Sequence, residues 1–159
     1  MNTEQTDRFF AQPILNSPYE CPTRHWALDD SGQPTQRIVE ARRRAEFITH
    51  IPQPRSRQAT QEYDATALIH GVRGHVDAWR SLPDPGRWQV TPETTRLLQH
   101  WRQHRFSGIR PFFCQMEAVE TAIWLTEVAP HDSAGKRLLE HLAAASRDAN
   151  PGLMRLALK

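Results

Sequence analysis

From residue 66 onward, apolar positions recur with a helical period. Leu68, Ile69, Val72, Val76 and Trp79 fall at steps of three and four, which places them on one face of a helix that Thr66 can cap and the run Ser81-Leu-Pro-Asp-Pro-Gly86 ends. Thr91, Pro92 and Glu93 supply a capping hydroxyl, a first-turn proline and a first-turn carboxylate, so a second helix is predicted over 92–104 with Leu97, Leu98 and Trp101 inward. The third pattern, over 110–129, is the densest. Pro111 suits its first turn, and Met116, Ala118, Val119, Ala122, Ile123, Leu125, Val128 and Ala129 cover most of its surface. Glu117, Glu120, Trp124 and Glu127 share the remaining stripe, which reads as the solvent side. A fourth helix opens near Ser133, turns Leu138, Leu139, Leu142 and Ala145 inward, and is stopped by Asn150, Pro151 and Gly152. Residues 153–158 are nearly all apolar and turn-bounded, the pattern of a short buried strand.

The front of the chain follows other rules. Prolines at 13, 18 and 22 each deny helix to the preceding residue, so 8–35 is predicted to be extended and anchored by Phe9, Phe10, Ile14, Leu15, Tyr19 and Trp26. A short strand at 25–28 is expected to turn at Asp29, Asp30, Ser31 and Gly32 and return. Residues 37–47 fit either a short helix or a strand, periodicity not deciding between them; a further short strand pair ending at Ile51 is the favoured expectation, with 52–61 a polar linker. The expected fold is mainly α with a small β part: an extended/β-hairpin N-terminal segment, four helices and a C-terminal strand. Three regions follow, an extended front with an Arg-rich linker (1–61), a helical middle (62–108) and a last region (109–159).

Composition adjusts this picture modestly. Mean hydropathy is −0.66 and there are 12 prolines in 159 residues, consistent with an irregular front. Two cysteines make no disulfide framework, the first residues carry no apolar signal core, and no stretch is apolar enough to span a bilayer, so a reducing cytoplasm is expected and no membrane partner. The net charge of +2 is mild, but six arginines face two glutamates between positions 37 and 57. Arg42, Arg43, Arg44, Arg55 and Arg57 thus form either a solvated face or a set of contacts to nucleic-acid phosphates.

Several chemical groups can be weighed in turn. His100 and His104 stand four apart on a helix, and with Cys21 and His25 would make a four-ligand set, but nothing brings the two pairs together. Cys114, beside Phe113, reads as a small buried apolar group. Glu117 and Glu120 could act as an acid–base pair, yet belong more simply to the wet stripe. At the entrance of the third helix stand Arg110, Phe112, Phe113 and Gln115. A first-turn carboxamide beside an exposed ring can read adenine, accepting from the exocyclic amine while donating to a ring nitrogen. The same residues also fit a polar first turn beside two core rings.

The segment from Arg110 to Ala129, with the earlier run Asn16-Ser-Pro-Tyr-Glu20 and His25-Trp26, resembles the front of the motor domain of superfamily 2 DEAD/DEAH-type helicases, in particular the restriction and translocation subunit of type III restriction enzymes. The resemblance implies that the last region begins an incomplete α/β (RecA-like) motor lobe. It also implies that Arg110, Phe112 and Gln115 contact the adenine of ATP, and that the partners are double-stranded DNA and the remainder of the motor or a restriction-modification partner. The family's Gly-x-x-x-x-Gly-Lys-Ser/Thr loop and Asp-Glu-x-His box do not occur here. ATP with Mg²⁺ is therefore expected only in a longer chain carrying that loop, and no hydrolysis by these residues alone. The rival expectation is an autonomous helical module that docks a protein partner.

Overall fold

The computed structural model describes residues 7–45, 66–149 and 152–153. Among them the chain is mainly helical, with one two-stranded antiparallel sheet. None of these helices is long and apolar enough to cross a membrane. Two compact units are formed. The first takes the chain as far as Arg44 together with Arg110–Met116, and the second takes Ala45–Ile109 and Glu117–Lys159.

In the first unit a short helix, α1 (Asp7–Ala11), precedes the proline run. An extended start was predicted from Arg8 onward, but Pro13 bars helix only at Gln12, leaving α1 room to form before it. Strands β1 (His25–Leu28) and β2 (Pro34–Val39) pair with His25 opposite Val39 and Trp26 opposite Ile38, as the expected hairpin. Its turn is closed by Asp29, whose Oδ1 accepts from the Ser31 N–H, the Ser31 hydroxyl and the Gln33 N–H at 2.6–2.9 Å, while Gly32 takes φ +80°. The Ser31 hydroxyl, then the Gln33 N–H, holds the Asp29 carboxyl below the usual carboxylate range. Trp26 is buried, meets Phe9 edge-on, and donates its indole N–H to the Gln12 carbonyl at 3.2 Å. Asn16 pins the proline segment: its Oδ1 accepts from the Thr23 and Arg24 N–H groups, and its amide donates to the Arg24 carbonyl at 2.8 Å. The further strand pair predicted over 37–51 does not extend past β2 as far as residue 45, and its remainder lies outside the described residues.

The second unit is built from α2 (Thr66–Arg80), α3 (Pro92–Gln103), α4 (Phe113–Ile123) from Glu117 onward, and α5 (Ser133–Ala149). The end of α4 widens into a π-helical turn, Trp124–Val128, whose Trp124, Leu125 and Val128 are all buried. Val76, Trp79, Trp88, Leu98, Trp124, Leu125, Val128 and Ala129 form the core, with Leu98 and Val76 wholly enclosed. Two of its tryptophans satisfy their polar ends within it: the Trp79 indole N–H donates to the Trp88 carbonyl at 2.9 Å, and that of Trp88 to the Leu82 carbonyl at 3.0 Å.

The caps refine the predicted helix starts. The Thr91 hydroxyl accepts from the Thr94 N–H as expected, but α5 is capped by Asp132, which accepts from the Gly135 N–H at 2.9 Å, and Ser133 is already helical. Pro111 lies just outside α4, which begins at Phe113. Leu97, expected inward, is 41% exposed, because Leu98 takes the core position beside it. Of the predicted strand over 153–158, Leu153 is not in a strand and is half exposed; the rest lies outside the described residues.

The largest correction concerns the polar stripe of α4. Glu120 is 4% exposed and Trp124 3%, whereas Val119, on the apolar side of the pattern, is 39% exposed. The carboxylates turn inward because other helices supply their partners. Glu120 Oε2 accepts from Arg80 Nε at 2.5 Å and Oε1 from Arg102 Nη2 at 3.0 Å, and the Arg102 guanidinium lies 4.5 Å from the Trp88 ring centre. Arg80 also reaches Asp77 at 2.7 Å and stands 3.9 Å from Glu117. Glu127 accepts from the Thr91 N–H and the Thr94 hydroxyl, both at 2.7 Å. Burial pushes the Glu127 carboxyl up, but these hydrogen bonds outweigh it and hold the group below its ordinary value.

Candidate functional site

The first turn of α4, in the first unit, keeps polar groups outward. A helix start leaves four N–H groups without helical partners. Here the Phe113 N–H is taken by the Pro18 carbonyl at 2.8 Å, which ties the proline segment to α4. The Phe112 N–H is taken by Gln115 Oε1 at 2.8 Å, the return half of a capping box. Tyr19, carried beside Pro18, then stacks on two neighbours. The Arg110 guanidinium lies 3.9 Å from the Tyr19 ring centre, and the Phe112 ring lies 5.5 Å from it at 34°. Arg42, three residues past β2, sits 5.5 Å over the Phe113 ring.

The three predicted adenine-contact residues, Arg110, Phe112 and Gln115, are therefore brought together. All three are exposed, Phe112 by 45%. Of the predicted phosphate contacts, Arg42 joins this cluster through Phe113, Arg43 and Arg44 follow it on an exposed stretch, and Arg55 and Arg57 lie outside the described residues. Tyr19 was anticipated only as an anchor of the extended segment. It reaches the cluster because the Pro18 carbonyl beside it accepts from the Phe113 N–H.

The arrangement offers planar faces, guanidinium groups and one carboxamide on an open surface. These groups suit a flat heterocycle bearing phosphate. A shallow cleft of about 280 Å³ lies on the same unit beside Asn16, Cys21 and Arg24, but Glu20 and Glu40 set two carboxylates against one guanidinium there, the wrong balance for phosphate. The Nε of that guanidinium is committed to the Leu15 carbonyl at 3.0 Å.

Other groups weighed from the sequence have ordinary surroundings. The His100 and His104 rings lie 4.7 Å apart, and His104 packs edge-on to Phe106. His25 Nδ1 is 2.7 Å from the Ala41 carbonyl. No group of three His, Cys, Asp or Glu positioned to hold a metal occurs among the described residues. Both cysteines are free and exposed, so Cys114 is not the buried apolar group its neighbours suggested: α4 presents that side of its first turn to solvent. Comparison with protein-family models, curated proteins and solved structures finds no match.

Proposed function

We propose that the chain is the N-terminal region of an ATP-dependent DNA helicase, translocase or restriction-type subunit, contributing an adenine-contact element and DNA phosphate contacts without catalysing hydrolysis itself. The reading rests first on the resemblance of the 110–129 segment and the Asn16 to Glu20 run. The observation that carries it is the meeting of these two distant segments in one cluster, Tyr19 against Arg110 and Phe112 with Gln115 alongside. Pockets for bases are commonly built from such rings and amides. In a longer chain a RecA-like lobe would add the phosphate loop, Mg²⁺ ligands and arginines that hydrolysis requires.

The test is ligand-observed NMR with ATP on the wild-type chain, Tyr19→Ala and Gln115→Ala. Binding on the order of millimolar is expected without a phosphate loop, weakened about tenfold by Tyr19→Ala through loss of stacking. Equal saturation transfer in all three proteins would overturn the reading. The DNA contacts predict sequence-indifferent binding that weakens with salt, with a log–log slope of about −4 if most of the five arginines meet phosphates.

A second reading, an autonomous module that docks a protein partner, is favoured by Phe10 and Ile14, which are 69% and 77% exposed close together in sequence. A mass by gel filtration well above one protomer, with no response to ATP, would select it.

A further inference from the structure

His100 and His104 are the one pair of histidines in the sequence spaced four apart. Side chains at that spacing are neighbours on a helix face, and the His104 N–H donates to the His100 carbonyl at 2.8 Å, so the last turn of α3 is closed between them. Both residues are exposed, with their rings 4.7 Å apart and inclined at 33°. Phe106 meets His104 edge-on at 4.6 Å and holds that ring just beyond the end of the helix. Among the described residues no hydrogen bond occupies a nitrogen of either ring, whereas His25 Nδ1 faces the Ala41 carbonyl at 2.7 Å.

The ring separation is that of two imidazoles on one ion. A histidine nitrogen binds a transition metal at about 2.0–2.1 Å, and a further distance of about 1.1 Å from nitrogen to ring centre sets each centre about 3.2 Å from the ion. Adjacent positions on a square-planar or tetrahedral ion then hold the two centres about 4.5–5.2 Å apart, an interval that contains the observed 4.7 Å. Rotation about the soft Cβ–Cγ torsions turns the nitrogens toward the shared point. Charge at this end of α3 also suits a cation. The last carbonyls carry the negative pole of the helix, and the two arginines of α3, Arg96 and Arg102, are engaged by Glu93 and Glu120. Arg105, beside His104 in the chain, sets one opposing charge against this. We infer that His100 and His104 form a two-histidine site for a divalent transition metal, copper, nickel or zinc, with water in the remaining positions. Imidazole suits these ions, whereas magnesium and calcium take oxygen ligands. The site belongs to the second unit and uses none of the residues of the nucleotide reading.

Titration calorimetry of the whole chain with Zn²⁺, Ni²⁺, Cu²⁺ and Mg²⁺ at neutral pH, on wild type, His100→Ala, His104→Ala and His131→Ala, tests the site. All three histidines are exposed, so the variants are expected to keep the fold, which thermal unfolding without metal verifies. One tightly held ion per chain is expected, with Cu²⁺ the strongest and Mg²⁺ not bound. Loss of either paired ring leaves a single ligand and should weaken binding about tenfold or more, while His131→Ala matches wild type. A second readout needs no variant: Zn²⁺ should shift the ring signals of His100 and His104 in the wild-type NMR spectrum together, at one ion per chain. Equal affinity in wild type and both paired variants would show an adventitious ion on other groups, and weakening in only one of the two would show that the rings do not chelate. Either result overturns the inference, as does Zn²⁺ shifting one ring without the other or Mg²⁺ binding as well as Zn²⁺.

Discussion

The two ends of α4 treat polar side chains in opposite ways. At the first turn, Gln115 is exposed and bonded to the backbone one turn back. Five residues on, Glu120 is almost fully enclosed and held by arginines from α2 and α3. A polar group on a helix is outward when local backbone can satisfy it. It is inward when another helix brings a charged partner and the surrounding apolar surface is worth burying. Glu120 and Glu127 therefore organise the second unit, while the Gln115 turn is left available for contact.

Substitutions can break the inner end first. Trp124→Ala removes the largest side chain on the stripe, 3% exposed and stacked on His75 at 5.3 Å, and is expected to cost about 3–5 kcal/mol in urea unfolding. Gly135→Ala reverses an ordinary preference. Alanine in a helix interior is normally favoured over glycine by about 1 kcal/mol, but here the added carbon would stand 2.4 Å from the Ala129 carbonyl oxygen. A net loss of about 1–3 kcal/mol is expected, and a gain would show that the turn before α5 is looser than described.

Glu127→Gln sharpens the comparison through pH. Because the folded carboxyl lies below its ordinary value, its contribution is present above the unfolded value and fades as pH falls through the folded one. The variant should lose about 1 kcal/mol at neutral pH and converge on wild type in acid. Asp29 and Asp132 are also held low, so the variant keeps part of the acid slope. For Asp132 the Gly135 N–H leads among the causes, with the charge of His75 a lesser one. The smallest effect belongs to the outer end. Gln115→Glu keeps an acceptor for the Phe112 N–H and places negative charge at a helix start, so unfolding should shift by no more than about 0.5 kcal/mol, toward stability.

Helix positions were legible because caps and breakers are local. Thr91, Pro92 and the Ser81 to Gly86 run mark their boundaries whatever the tertiary structure, and so do Asp29 and Gly32 for the hairpin. The orientation of α4 was not legible. Period alone assigns charged residues to water, and only the arrival of Arg80 and Arg102 reverses that assignment for Glu120. Both arginines are remote in sequence, at 40 and 18 residues, and neither spacing carries a signal. For the candidate site, Arg110, Phe112 and Gln115 could be picked out because they are neighbours. Tyr19 could not be joined to them before the Pro18 carbonyl was seen to accept from Phe113.

Adjacent residues on α4 offer the most direct test of the inward polar stripe: the urea unfolding free energies of Glu120→Ala and Val119→Ala, measured side by side. Glu120→Ala leaves two arginines without their shared carboxylate and is expected to cost about 3–5 kcal/mol, whereas Val119→Ala, trimming an exposed side chain, should stay within about 0.5 kcal/mol of wild type. The reverse order, with the valine costly and the glutamate dispensable, would contradict the account.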